Sequence, residues 1–163
     1  MQSAARWLLI ASCSSTLLWL AGCTTSGQLK PAPPVAAVHA THIDLSTDTL
    51  FAFGKADLRA GADDSLHQLA SKLRLAEKIE SVKIFGYSDR VGTPDYNKSL
   101  SQRRADSVRD YLINQGVAPA LIQAEGRGED APVVVCANRL RGKKLQACLA
   151  PNRRVEVDIV ALN

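Results

Sequence analysis

Aromatic residues are scarce in this 163-residue chain: three Phe, three Tyr and two Trp, with both Trp in the first twenty positions. That removes the stacking platforms on which proteins hold single-stranded nucleic acid. A strong excess of one charge is missing too. The formal net charge is +4, and the basic residues are spread out and interleaved with acids, which falls short of a nucleic-acid signature. Histidine occurs three times and never after His67, so a zinc site around the C-terminal cysteines would lack ligands. Long apolar runs are missing as well. The one candidate, Trp7–Leu20, is 14 residues long and broken by Ser12, Ser14, Ser15 and Thr16, too short and too polar to span a bilayer stably.

That run does have the anatomy of a secretory signal. It follows Arg6 and the α-amino group and leads into Leu20-Ala21-Gly22-Cys23. Small residues before a cysteine resemble the bacterial lipobox. The resemblance implies that residues 1–22 are removed as a lipoprotein signal peptide and that Cys23 becomes the acylated N-terminus. Several acyl chains hold a domain at a membrane far better than one. Removing 22 of the 163 residues leaves 141, enough for one domain with a real core, and lowers the charge by the one unit of Arg6.

Of the four cysteines, Cys13 lies in the signal and Cys23 is the lipidation candidate. Cys136 and Cys148 remain, twelve positions apart. A leftover pair in an exported protein is most simply a disulfide, worth about 3 kcal/mol for a loop of this size in the chain-entropy model. From Thr24 to Thr41 the chain is rich in Thr, Ser, Pro and Ala, with Pro31, Pro33 and Pro34 and no apolar periodicity. Residues 23–41 therefore read as a lipidated N-terminus and linker reaching on the order of 50 Å where extended, and residues 42–163 as the folded domain.

Within that domain, Ile43–Phe53 reads as a strand followed by a less regular run. Leu66, Leu69, Ala70 and Leu73 recur at helical spacing up to about Lys78. Val82, Ile84 and Gly86 alternate with Lys83, Phe85 and Tyr87 in a second strand. The next helix is expected from a cap at Asp95 or Asn97 to Gln115, with Gly116 as its stop. Ile122–Gly126 and Arg153–Ala161 complete the strands. Strands alternating with helices give a sandwich of two helices on one sheet.

One residue breaks the pattern. Leu100, Val108 and Leu112 lie on one helical stripe, and Arg104 sits in the same row. An isolated guanidinium there would cost several kcal/mol, so it needs a partner. By chain order the nearest candidate is Asp89, just past the end of the second strand. The pair is either a structural ion pair or a pocket that offers an anion and a bidentate cation side by side, which suits a zwitterion.

The run GYSDRVGTPDYNKSLSQRRADSVRDYL (Gly86–Leu112) resembles the signature of OmpA-like C-terminal domains. The segments LFAFGKADL (Leu50–Leu58), AEGRGEDAPV (Ala124–Val133) and NRRVEVDIV (Asn152–Val160) resemble it too. The resemblance covers residues 43–161 and implies an α+β fold, a βαβαββ-type sandwich with helices on one face of a mixed sheet. It also implies noncovalent binding of peptidoglycan through the diaminopimelate of the stem peptide. By position, Asp89 would take the ligand ammonium and Arg104 its carboxylate. Asn97 and Arg153 would line the same pocket, and the backbone at Gly54 and Lys55 would close over the ligand. Gly54 departs from the usual acidic or amide residue there and offers only backbone. The loop from Cys136 to Cys148 resembles the disulfide loop of some OmpA proteins. Thr24 in place of Asp after Cys23 favours the outer membrane by resemblance to lipoprotein sorting patterns.

The resulting expectation is an outer-membrane lipoprotein, facing the periplasm, that tethers the membrane to peptidoglycan and is no enzyme. The alternative keeps the fold and makes other envelope proteins the main partners. No cofactor, metal or nucleic acid is expected. An enzyme reading would require a nucleophile, carboxylate pair or metal cluster in the pocket. Gly126–Ala131 matches GxGxxA but reads as a turn, since Pro132 follows where a helix should open. His39 and His42 read as solvated residues at the linker's end without supporting ligands. The Arg139–Lys144 run reads as a solvated loop, with weak attraction to anionic wall polymers as the other possibility.

Overall fold

A computed structural model describes residues 38–76 and 78–162. The expected signal peptide, the lipidation candidate Cys23 and residues 24–37 of the expected linker lie outside those residues. Among the described residues, four strands form one mixed sheet: β1 (Val38–Ser46), β2 (Lys78–Tyr87), β3 (Ile122–Gly128) and β4 (Arg154–Leu162). Their order across the sheet is β1-β4-β2-β3, with β4 antiparallel to both neighbours and β2 parallel to β3. The helices are a short α1 (Thr47–Leu50), α2 (Asp63–Leu75), α3 (Pro94–Asn114) and α4 (Gly142–Leu149). The α+β architecture is the expected one, with α4 added between the last two strands. No helix among the described residues is long and apolar enough to cross a membrane.

Strand alternation divides the sheet into two faces. Val82, Ile84, Val155, Val157 and Ile159 point to the core, where they meet Leu66, Leu69, Leu73, Val108 and Leu112 from α2 and α3. His42, Asp44, Lys83, Phe85, Glu156 and Asp158 alternate onto the opposite face.

Helix α3 settles directly on the sheet. A Cβ at Gly86 would stand 2.2 Å from the Ser101 carbonyl oxygen, and one at Gly126 would stand 2.2 Å from the Gln102 nitrogen. Only glycine on β2 and β3 permits that approach. The Ser101 hydroxyl accepts from the Gly128 amide, and Gln102 bonds the Gly126 amide and the Ala124 carbonyl. These contacts fix the rotation of α3 about its axis, and so the direction in which Arg104 points.

Three boundaries differ from the sequence reading. Strand β1 begins at Val38, inside the stretch read as linker, because Val38–Thr41 pair with Leu162–Ile159 of β4. His39 and His42 thus belong to a strand. The cap of α3 is Thr93, whose hydroxyl accepts from the Tyr96 amide, with Pro94 at the first helical position. Strand β3 continues to Gly128, so the GxGxxA stretch is strand before it becomes turn.

Candidate functional site

Where β2 ends, α3 begins and β4 begins, the chain leaves a cavity of about 220 Å³. Among its lining residues are Gly54, Asp89, Asn97, Arg104 and Arg153, five of the six expected ligand contacts. Lys55 is not among them. Its contribution is a backbone carbonyl that accepts from Arg104 Nε at 2.9 Å.

Of the two readings of Asp89 and Arg104, the direct ion pair between them does not form. Arg104 is 4% exposed, stacks with its guanidinium 5.4 Å from the Phe51 ring centroid, and reaches the Lys55 carbonyl. No carboxylate among the described residues lies within ion-pair distance of it. Burial lowers its pKa from the usual guanidinium value; Asp48, Tyr96 and Asp89 act in the other direction and Arg153 with it. A guanidinium stays protonated regardless. Its two terminal nitrogens carry no hydrogen bond from the described residues, so a buried cation presents donors to the cavity.

Asp89 pairs instead with Arg153. Arg153 Nη1 donates to Asp89 Oδ2 at 2.8 Å, and the Val91 amide donates to Oδ1 at 2.8 Å. Arg153 also grips Asp48 at 2.6 Å, and Asp48 lines the cavity. Hydrogen bonding to Asp48 and Asp89 pushes Arg153 well above the ordinary guanidinium value against the effect of burial. The same bond holds the Asp48 carboxyl below the usual carboxylate range. Two carboxylates and two guanidiniums therefore share one cavity, which balances their formal charge.

Asn97 is buried in the first turn of α3, with its amide nitrogen donating to Glu129 at 2.8 Å. Gly54 has φ +68°, a left-handed conformation that glycine adopts without penalty, and the Tyr96 hydroxyl lies 3.6 Å from where its Cβ would be. Sequence reasoning missed Asp48, Ser88 and the apolar rim of Phe53, Val91 and Tyr96. Asp48 lies 105 positions from Arg153, a pairing no local pattern reveals. Phe53 is 76% exposed, and such exposure leaves no periodicity to read. The Ser88 hydroxyl is buried with no hydrogen-bond partner among the described residues, although the residue sits beside Asp89 in the quoted motif and lines the cavity.

Residues 50–144 match the OmpA family. The chain belongs to that family. It is 45% identical to outer membrane protein A of Escherichia fergusonii over 143 residues, covering 82% of this chain and 59% of the relative. The chain thus spans little more than half of that relative's length. Among solved structures, it is similar to the cell wall anchor of the T6SS from Pseudomonas aeruginosa (TM-score 0.61, 32% identity, 77% of this chain and 87% of that one). It is also similar to the peptidoglycan-associated lipoprotein from Burkholderia pseudomallei (TM-score 0.57, 29% identity, 68% and 87%).

Two further expectations meet the structure here. Cys136 and Cys148 form a disulfide, with their Cα atoms 6.1 Å apart. The expectation that His42 has no supporting ligands is overturned: its nitrogens lie 2.6 Å from Asp158 and 3.3 Å from Asp44, and ligand atoms of His42, Asp44 and Glu156 lie within 4.8 Å of one another. Cross-strand register, His42 opposite Asp158 and Asp44 opposite Glu156, produces this cluster. It lies on the open face of the sheet, and Glu156 is already engaged by Arg154 at 2.7 Å.

Proposed function

We propose that this chain is an outer-membrane lipoprotein whose domain binds peptidoglycan noncovalently and tethers the membrane to the cell wall. The observation that carries the reading is the buried Arg104 guanidinium, whose terminal donors face a cavity and meet no carboxylate of the described residues. A ligand carboxylate would complete it through a charge-assisted bidentate bond. Asp89 and Asp48 lie on the same cavity wall system with Arg153 and offer acceptors for a ligand ammonium. Ammonium and carboxylate on one carbon is the chemistry of the free end of diaminopimelate. A cavity of about 220 Å³ is below the usual range of about 300–1,000 Å³ for whole small-molecule sites, and it suits one amino-acid end of a longer polymer. Membership of the OmpA family and the likeness to a peptidoglycan-associated lipoprotein and a cell wall anchor support the same reading.

The domain acts as a binding module. Its cavity pairs carboxylates with guanidiniums, and Arg153 holds the Asp48 carboxyl below the usual carboxylate range, which suits ammonium recognition better than proton donation. Acylation at Cys23 would supply the membrane end of the tether, and residues 24–37 would give it reach. Many such tethers acting together hold two layers firmly while each contact stays reversible.

The test is sedimentation of the full chain with insoluble peptidoglycan, beside Asp89→Ala and Arg104→Ala. Wild type should pellet, both variants should stay in solution, and free diaminopimelate should release the wild type. A wild type that stays in solution sinks the reading and moves the weight to protein partners in the envelope. Mass analysis of the N-terminus tests the anchor: an acylated Cys23 is expected, and an unmodified one contradicts it.

A further inference from the structure

No acid occurs between Asp130 and Glu156, while Arg139, Arg141, Lys143 and Lys144 crowd into six positions of the disulfide-closed loop. All four are exposed, and none has a carboxylate of the described residues within ion-pair distance. Arg141 turns back onto the carbonyls of Asn138 and Leu140. The other three cations have no such bond among the described residues. Helix α4 gains nothing from them, because Lys143 and Lys144 stand in its first turn, the end where the helix dipole disfavours cations.

The loop is also fastened to the cavity's own walls. Arg90, the residue after Asp89, donates to the Cys136 carbonyl at 2.9 Å and to Asn138 at 3.1 Å. Arg153, which grips Asp89 and Asp48, donates to the Gln146 carbonyl at 3.2 Å. The disulfide closes the loop between these two fixings. The loop backbone that carries the cations is therefore fastened to the cavity walls, and little backbone ordering entropy remains to be lost when they meet a partner.

We propose that this loop is a second contact surface for the same wall polymer, with Arg139, Lys143 and Lys144 attracting free carboxylates of the stem peptide outside the cavity. The inference rests on the peptidoglycan reading above. The cavity takes one amino-acid end, so the rest of an acidic peptide must run across the surrounding surface, and the fixed cationic loop is the complementary part of that surface. Attraction between exposed charges is screened by salt, so the loop's contribution is the salt-sensitive part of binding and the cavity's is the salt-resistant part.

The experiment compares the full chain with the triple variant Arg139→Gln/Lys143→Gln/Lys144→Gln, which leaves Arg141 and the disulfide in place. Both are sedimented with insoluble peptidoglycan across a salt series, and both are checked for the wild-type circular dichroism spectrum. At about 50 mM salt the triple variant should bind about three- to tenfold more weakly, and the two should converge near about 0.5 M. Equal affinity and equal salt dependence would overturn the inference while leaving the cavity reading intact. If wild type fails to pellet at any salt, the cavity reading falls and this one with it. Phosphatidylglycerol vesicles supply the other arm: vesicle capture lost in the triple variant, with wall binding unchanged, assigns the loop to a membrane and overturns the wall contact.

Discussion

The two ends of the cavity solve the burial of charge in opposite ways. At one end, Asp89 and Arg153 satisfy each other, with Asp48 and the Val91 amide completing the network. At the other, Arg104 is buried yet, among the described residues, leans only on a carbonyl and an aromatic ring. A self-satisfied pair serves the fold whether or not a ligand is present. A buried guanidinium without a carboxylate is held at a cost that a ligand can offset. The contrast separates charge that serves both fold and ligand from charge left for the ligand alone.

Two substitutions break the comparison most strongly. Arg104→Leu should weaken peptidoglycan binding about 100-fold or more, since truncating one partner of a buried charge pair costs several kcal/mol. Its folding stability should change by only about 1 kcal/mol, because removing an uncompensated buried charge offsets the loss of the Lys55 carbonyl bond. Asp89→Ala should weaken binding too, but should also destabilise the fold by about 3–5 kcal/mol by stranding half of the Arg153 network. Denaturant unfolding beside wall sedimentation checks both. If Arg104→Leu unfolds the domain while Asp89→Ala folds normally, the roles are reversed.

Asp48 sharpens the contrast at smaller scale. It is half exposed, so Asp48→Asn should cost no more than about 1 kcal/mol at neutral pH. Its folded pKa is depressed by Arg153. The contribution is therefore complete above the unfolded carboxylate value near about 3.9 and disappears as pH falls through the lower folded value. Wild type and Asp48→Asn should differ in stability at pH 7 and converge in strong acid; a difference that persists there would contradict the assignment.

The smallest effect belongs to the open face. Hydrogen bonding to Asp158 raises the His42 pKa above 6.5, opposed by desolvation and helped by Asp44, Asp158 and Glu156. A raised folded pKa gives stability that is full below the unfolded value and fades as pH rises through the folded one. An NMR titration should place the His42 midpoint above 6.5, and Asp158→Asn should bring it down. A midpoint unchanged by that substitution would dismiss the contact.

Much of this fold was legible because periodicity encodes it. The row Leu100, Arg104, Val108 and Leu112 is buried along its whole length, and a charged residue in it could be singled out from spacing alone. Its partner could not. Chain order favoured Asp89, but β4 delivers Arg153 to Asp89 from far along the sequence, and the turn after Phe51 delivers the Lys55 carbonyl to Arg104. Strand β1 was read five residues short because its first residues follow a Pro/Ala-rich stretch, whereas pairing with the end of β4 decides where it starts. Helix α4 went unread, since its eight residues open on glycine and lysines and bury only Leu149.

The most direct test is calorimetric titration of the full chain with two wall fragments, one bearing diaminopimelate and one bearing lysine at the same stem position. Lysine keeps the ammonium and lacks the carboxylate assigned to Arg104. Wild type should bind the diaminopimelate fragment at least about tenfold more tightly, and Arg104→Leu should bind the two alike. Equal affinity of wild type for both fragments, or discrimination that survives Arg104→Leu, would contradict the account.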